Sequence, residues 1–121
     1  MDTSILTAQE LGRLVPTVDM GVGTEKRAFV RFPFTCVQRL NHDIDCGVRD
    51  LSRFYAVRCR DISQSGISFF LPTCPTFRCA VIELGKPSML SYWAISVVRA
   101  MQQDDGTHVV GCSFIRRIEQ Q

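Results

Sequence analysis

The chain has 121 residues, with 45% hydrophobic and 21% charged residues and a net charge of +2. That balance fits one folded domain with a single core and excludes a disordered chain. It is too weakly basic to argue for DNA, RNA or a membrane surface, and no run of eighteen apolar residues is present to cross a bilayer.

Met1-Asp2-Thr3-Ser4 has neither the basic start nor the apolar stretch of a secretory signal, so the chain is expected in the cytoplasm. Six cysteines, at 36, 46, 59, 74, 79 and 112, form no Cys-x-x-Cys pair. In a reducing compartment they are expected as buried thiols, behaving as small apolar residues. Of 14 basic residues only Lys26 and Lys86 are lysines, which leaves twelve arginines. Arginine's planar fork suits phosphates and flat rings, although an arginine-rich codon usage explains the same count.

Thr7-Ala8-Gln9-Glu10 has capping-box spacing, and Leu11, Leu14 and Val15 follow before Pro16. The pattern predicts a short helix over Ala8 to Val15, then a flexible passage through Gly21 and Gly23. From Arg27 the period becomes two. Ala28, Val30 and Phe32 alternate against Arg27 and Arg31, and a strand is expected to continue from Phe34 to Leu40. Polar residues 41–53 read as a loop.

Further strands are expected from Tyr55 to Arg60, Ile67 to Leu71, Phe77 to Leu84, Ser91 to Met101 and Val109 to Ile115. Asp104-Asp105-Gly106 supplies the last hairpin turn. Six short strands and one terminal helix predict an all-β antiparallel barrel or sandwich, and periodicity does not choose between them. The expected division is a helical extension over residues 1–20 and a β domain over 21–118.

Two patterns stand out: Arg27-x-x-x-Arg31, and Asp61-Ile62-Ser63-Gln64-Ser65-Gly66, an [Asp/Asn]-x-Ser-x-x-Gly sequence. Twelve arginines yield roughly one Arg-x-x-x-Arg by chance, and Arg49-x-x-x-Arg53 is another. The second pattern is rarer, with a random expectation of about 0.04. Read without a ligand it is a good Asx turn, and Arg60 beside Asp61 is an ordinary surface ion pair. The arginine pair opens the first strand, and the acid–hydroxyl–glycine pattern turns between the next two.

With these two motifs in this order, the chain resembles the PilZ domain family over residues 25–118. The likeness extends to Ile67, to Ile95-Ser96-Val97-Val98-Arg99 and to Val110-Gly111-Cys112-Ser113-Phe114-Ile115. The resemblance implies a six-stranded antiparallel β-barrel that binds the bacterial second messenger cyclic di-GMP on its outer surface. The arginine-bearing segment would fold over the ligand. Carried over by motif position, the ligand residues are Arg27, Arg31, Asp61, Ser63 and Gly66. Lys26 takes the position that influences whether one nucleotide or a stacked pair is held, and a basic residue there leans towards the pair. Arg99 falls near the place where a side chain meets the base, and is equally readable as a solvated strand-end arginine.

The residue types suit that ligand. Arginine forks match phosphates and the O6/N7 edge of guanine, and a carboxylate can accept from guanine N1 and N2 hydrogens. Gly66 lets the backbone turn tightly and approach the ligand with no Cβ in the way. The rival implied by the resemblance is a barrel that acts as a protein-interaction adaptor and binds no nucleotide. Monomer and homodimer both stay open, as does the identity of a downstream protein partner.

Other chemistries find less support. His42, Asp43, Asp45 and Cys46 are the only metal-like cluster, and they lack a second half. No histidine is fixed near a thiol, and the paired carboxylates sit in a turn and a loop. No enzyme and no metal or other cofactor is expected.

Overall fold

A computed structural model describes residues 6–15, 31–43 and 51–118. The order is helix α1 (Ala8–Leu14) and strands β1 (Phe32–Pro33), β2 (Val37–Asn41), β3 (Tyr55–Ile62), β4 (Gly66–Leu71), β5 (Cys79–Lys86), β6 (Met89–Gln102) and β7 (His108–Ile118). A 3-10 turn over Leu51–Arg53 precedes β3. The β segment expected over residues 27–30, the passage through Gly21 and Gly23, and Asp45 and Cys46 lie outside the described residues.

Every strand pairing is antiparallel. The order β3-β2-β5-β6-β7-β4 returns to β3 through the β3–β4 pairing, so six strands close into a barrel. Closure removes the free edges that a sandwich would leave, and it settles the choice that alternation left open. Inward residues of the paired strands, including Leu40, Val57, Ile67, Phe69, Ile82, Trp93, Ile95 and Val110, fill one core. The predicted faces are found here. Trp93, Ile95 and Val97 point inward from β6, and Val110, Cys112 and Phe114 do so from β7.

The capping box of α1 is formed. Thr7 Oγ1 accepts from the Glu10 N–H, and Glu10 Oε1 accepts from the Thr7 N–H, each at 3.0 Å. Leu6, Leu11 and Val15 join the barrel's own core. The helix therefore closes one end of the barrel and is not a separate layer.

The expected first strand is interrupted. Pro33 pairs with Asp61, but Val37 pairs with Arg58, so four residues are used against three. Phe34 donates to the Arg60 carbonyl, and the Cys36 carbonyl accepts from Cys59, which keeps the bulged stretch bonded to β3. Pro33 cannot donate to a ladder, and β1 is the edge where that loss is tolerated.

A second, smaller core lies outside the barrel, where Phe54 meets Val81 and Tyr92. Val81, Ile82, Glu83 and Leu84 are consecutively buried because both faces of β5 are covered there. Glu83 accepts a 2.6 Å bond from the Tyr92 hydroxyl, and Arg39 lies 3.8 Å from the same carboxylate and over the Phe54 ring.

The described cysteines divide by exposure. Cys59 and Cys112 are buried, Cys36 and Cys79 half-buried and Cys74 exposed. Cys74 departs from the expected burial because it sits in the irregular stretch between β4 and β5. Burial pushes the Cys59 and Cys112 thiols up to about 12. Alkylation with iodoacetamide at pH 8, followed by peptide mass mapping, should label Cys74 before Cys36, Cys79, Cys59 and Cys112. Cys59 and Cys112 should react only with unfolding, and prompt labelling of either would contradict their packing.

Candidate functional site

The acid–hydroxyl–glycine pattern spans the end of β3, a tight turn and the start of β4. The Ser63 N–H donates to the Gly66 carbonyl at 2.8 Å, closing the turn. Ser63 is buried, with its hydroxyl 3.2 Å from the N–H groups of Ser65 and Gly66 and from the Ser65 hydroxyl. In this conformation its oxygen caps the turn from within. Gly66 is required by the neighbouring strand, since a Cβ there would stand 2.2 Å from the Cys112 carbonyl oxygen of β7.

Asp61 points the other way, onto the outer face. Its Oδ1 accepts from Arg31 Nη1 at 2.6 Å and from the Ser68 hydroxyl at 2.8 Å. Its Oδ2 has Arg60 Nε at 3.9 Å, beyond hydrogen-bond range. One carboxylate oxygen is thus committed to holding Arg31 and Ser68 in place, and the other can still accept. Arg31 spends one of five N–H donors on Asp61 and is half exposed, so its fork remains open to a ligand. The pair lies at the surface, and its worth to folding is small. Its consequence is positional.

Sequence reasoning names Arg31, Asp61, Ser63, Gly66 and Arg99 among the described residues. The structure brings Arg31 to Asp61, and strand register brings Arg99 onto the same row. Asp61 pairs with Ser68, Ser68 with Gly111 and Gly111 with Arg99, across β3, β4, β7 and β6. Directly paired residues share a sheet face, and Ile67 and Phe69 pointing inward send Ser68 outward. Arg99 Cγ would lie 3.6 Å from a Cβ at Gly111, so its side chain runs alongside that glycine. The row covers three strand spacings, about 14 Å along the sheet. It begins at a carboxylate and ends at a guanidinium, with a hydroxyl and a bare backbone between them. Beside it, Arg58 lies 5.6 Å over the Phe70 ring.

Lys26 and Arg27 lie outside the described residues. Ser68 and Gly111 escape motif reasoning. The usable signal is alternation: Ser68 stands two residues after Gly66 on a strand whose neighbours face the core.

Of the metal-like cluster, His42 and Asp43 lie among the described residues. His42 stacks on Phe77 with centroids 4.9 Å apart, and its Nδ1 lies 2.8 Å from the Tyr55 hydroxyl. Among the described residues no three His, Cys, Asp or Glu side chains gather as a metal site, and no helix is long and apolar enough to cross a membrane.

A family model described as "PilZ domain" matches residues 25–121. That range contains the whole barrel and both motifs. No curated protein matches the chain.

Proposed function

The chain belongs to the PilZ domain family, whose members are cyclic di-GMP-binding modules and not enzymes, and from that premise we propose that it is a cytoplasmic receptor for this nucleotide. Arg31, Arg27, Asp61, Ser63 and Gly66 form the site, with Lys26 and Arg99 at its margins. The observation that carries the proposal is Asp61. Its Oδ1 fixes Arg31 against the barrel, while its Oδ2 is left able to accept. Guanine N1 and N2 hydrogens suit that oxygen, and phosphate or the guanine O6/N7 edge suits the remaining arginine donors. Ser63 serves by holding the turn that aims Asp61, and Gly66 by letting that turn lie flush on β7.

Binding would draw the segment carrying Lys26 and Arg27 onto the outer row. The motif turn is also tied to the helix end. Leu6 donates to the Gln64 carbonyl at 2.8 Å, and Gln64 Nε2 donates back to the Leu6 carbonyl at 2.9 Å. A shift in the turn therefore reaches the start of α1, a surface that a partner protein can read as a change in population.

Titration calorimetry with cyclic di-GMP at fixed salt tests the assignment. Arg31→Ala should weaken binding ten- to hundredfold, roughly 1.5–3 kcal/mol for a charged hydrogen-bond partner. Arg53→Ala should change little. Arg53 precedes the opposite end of β3, about 20 Å from Asp61, and bonds to Asp43 at 2.9 Å. Equal losses at both positions would put the site elsewhere. No heat from the unaltered protein would leave the adaptor reading in its place.

A further inference from the structure

The end of the barrel covered by α1 contains a pocket of about 440 Å³. Its floor is apolar, made by Leu14, Phe34, Leu84 and Leu90 among others. Arg13, Lys86 and Arg117 stand on its rim with one carboxylate, Glu10. Arg31, Asp61, Ser68 and Arg99 do not line it, so it is separate from the proposed nucleotide site.

We propose that this barrel-mouth pocket binds a single-chain amphiphile, an alkyl chain ending in an anionic head. Glu10 pairs with Arg117. Arg13 and Lys86 have no acidic partner among the described residues, so the rim keeps an excess of positive charge over an apolar floor. A simple anion would gain nothing from the floor, and an uncharged chain nothing from the rim. Polar groups inside the wall are already matched. Gln38 donates to the Val37 carbonyl and accepts from the Gly85 N–H, and the Ser91 hydroxyl accepts from the Trp93 indole at 3.2 Å. A methylene chain loses nothing against such a wall, whereas the amides of an inserted peptide would go unpaired. Barrel mouths of this volume are ordinary places for small ligands.

Trp93 is the chain's single tryptophan, and its bond to Ser91 places a reporter at the pocket wall. The test follows Trp93 fluorescence and calorimetric heat while decanoate, decyl phosphate and decanol are titrated below their aggregation concentrations. Both anions should bind, with decanol at least tenfold weaker. Octanoate should bind about fifteenfold more weakly than decanoate, roughly fourfold for each methylene removed. The order of the two anions tells a carboxylate from a phosphate source.

Two variants give opposite signs. Lys86→Gln should weaken decanoate and leave decanol unchanged. Glu10→Gln keeps an acceptor for the capping box but frees Arg117, and should tighten decanoate. Absence of binding by both anions, equal affinity for decanol, or weaker decanoate binding by a Glu10→Gln protein with unchanged melting would overturn the proposal.

Discussion

Replacing Gly66 by alanine should lower the stability of the barrel by about 3 kcal/mol or more, near the upper end for overpacked sites. The new Cβ would stand 2.2 Å from the Cys112 oxygen and 3.3 Å from its carbonyl carbon. Both atoms are backbone, so no side-chain rotation relieves the clash. Gly66 is paired with Ser113, and the turn before it is bonded to Phe114 through the Ser65 carbonyl. β4 and β7 would have to part at the point where the turn is anchored. Gly106 is the control. Its φ is +91° and a Cβ added there meets nothing within 4 Å, so alanine incurs only the left-handed backbone cost, about 1 kcal/mol. Urea midpoints at constant slope would compare the two. A Gly66→Ala loss no larger than that of Gly106→Ala would show that the strands separate freely. The same variant should weaken cyclic di-GMP binding, because Asp61 is aimed by the turn that Gly66 allows.

Where one face of a strand is buried, as in Val57 and Cys59 against the exposed Ala56, Arg58 and Arg60, alternation reads the fold correctly from the residues alone. Thr7 and Glu10 likewise announce their helix because both halves of the cap are local. Legibility fails where structure is not local. β5 buries consecutive residues because Phe54 and Tyr92 cover its outer face, and nothing in Val81 to Leu84 announces that second cover. The Pro33-to-Cys36 bulge depends on which β3 residues it meets. Motif matching finds Asp61 and Arg31, but it cannot find the carbonyl that demands Gly66, which lies on β7, far along the chain. The barrel-mouth pocket is out of its reach, since the walls come from α1, β2, the β5–β6 hairpin and β7 together.

Alkaline pH should destabilise the protein well before its arginines could lose charge. Cys59, Cys112 and Tyr92 are each pushed up to about 12, the thiols by burial and Tyr92 by burial and by the Glu83 carboxylate that its hydroxyl bonds. Their ordinary values are 9.0 for the thiols and 10.0 for the phenol. Between those values and 12 the folded chain keeps protons that the unfolded chain has released. The stabilisation is therefore complete below pH 9 and declines as pH rises, by about 1.4 kcal/mol per pH unit for each group past its ordinary value. By pH 10.5 the combined loss is on the order of 5 kcal/mol, a large share of a small domain's total. Urea titrations from pH 7.5 to 10.5 would record it. Tyr92→Phe starts lower, because Glu83 loses its partner, but should then fall less steeply above pH 10. A midpoint flat to pH 10.5 would mean that these three groups are better hydrated than their packing shows. An identical slope in Tyr92→Phe would remove the phenol from the account and leave the decline to the thiols.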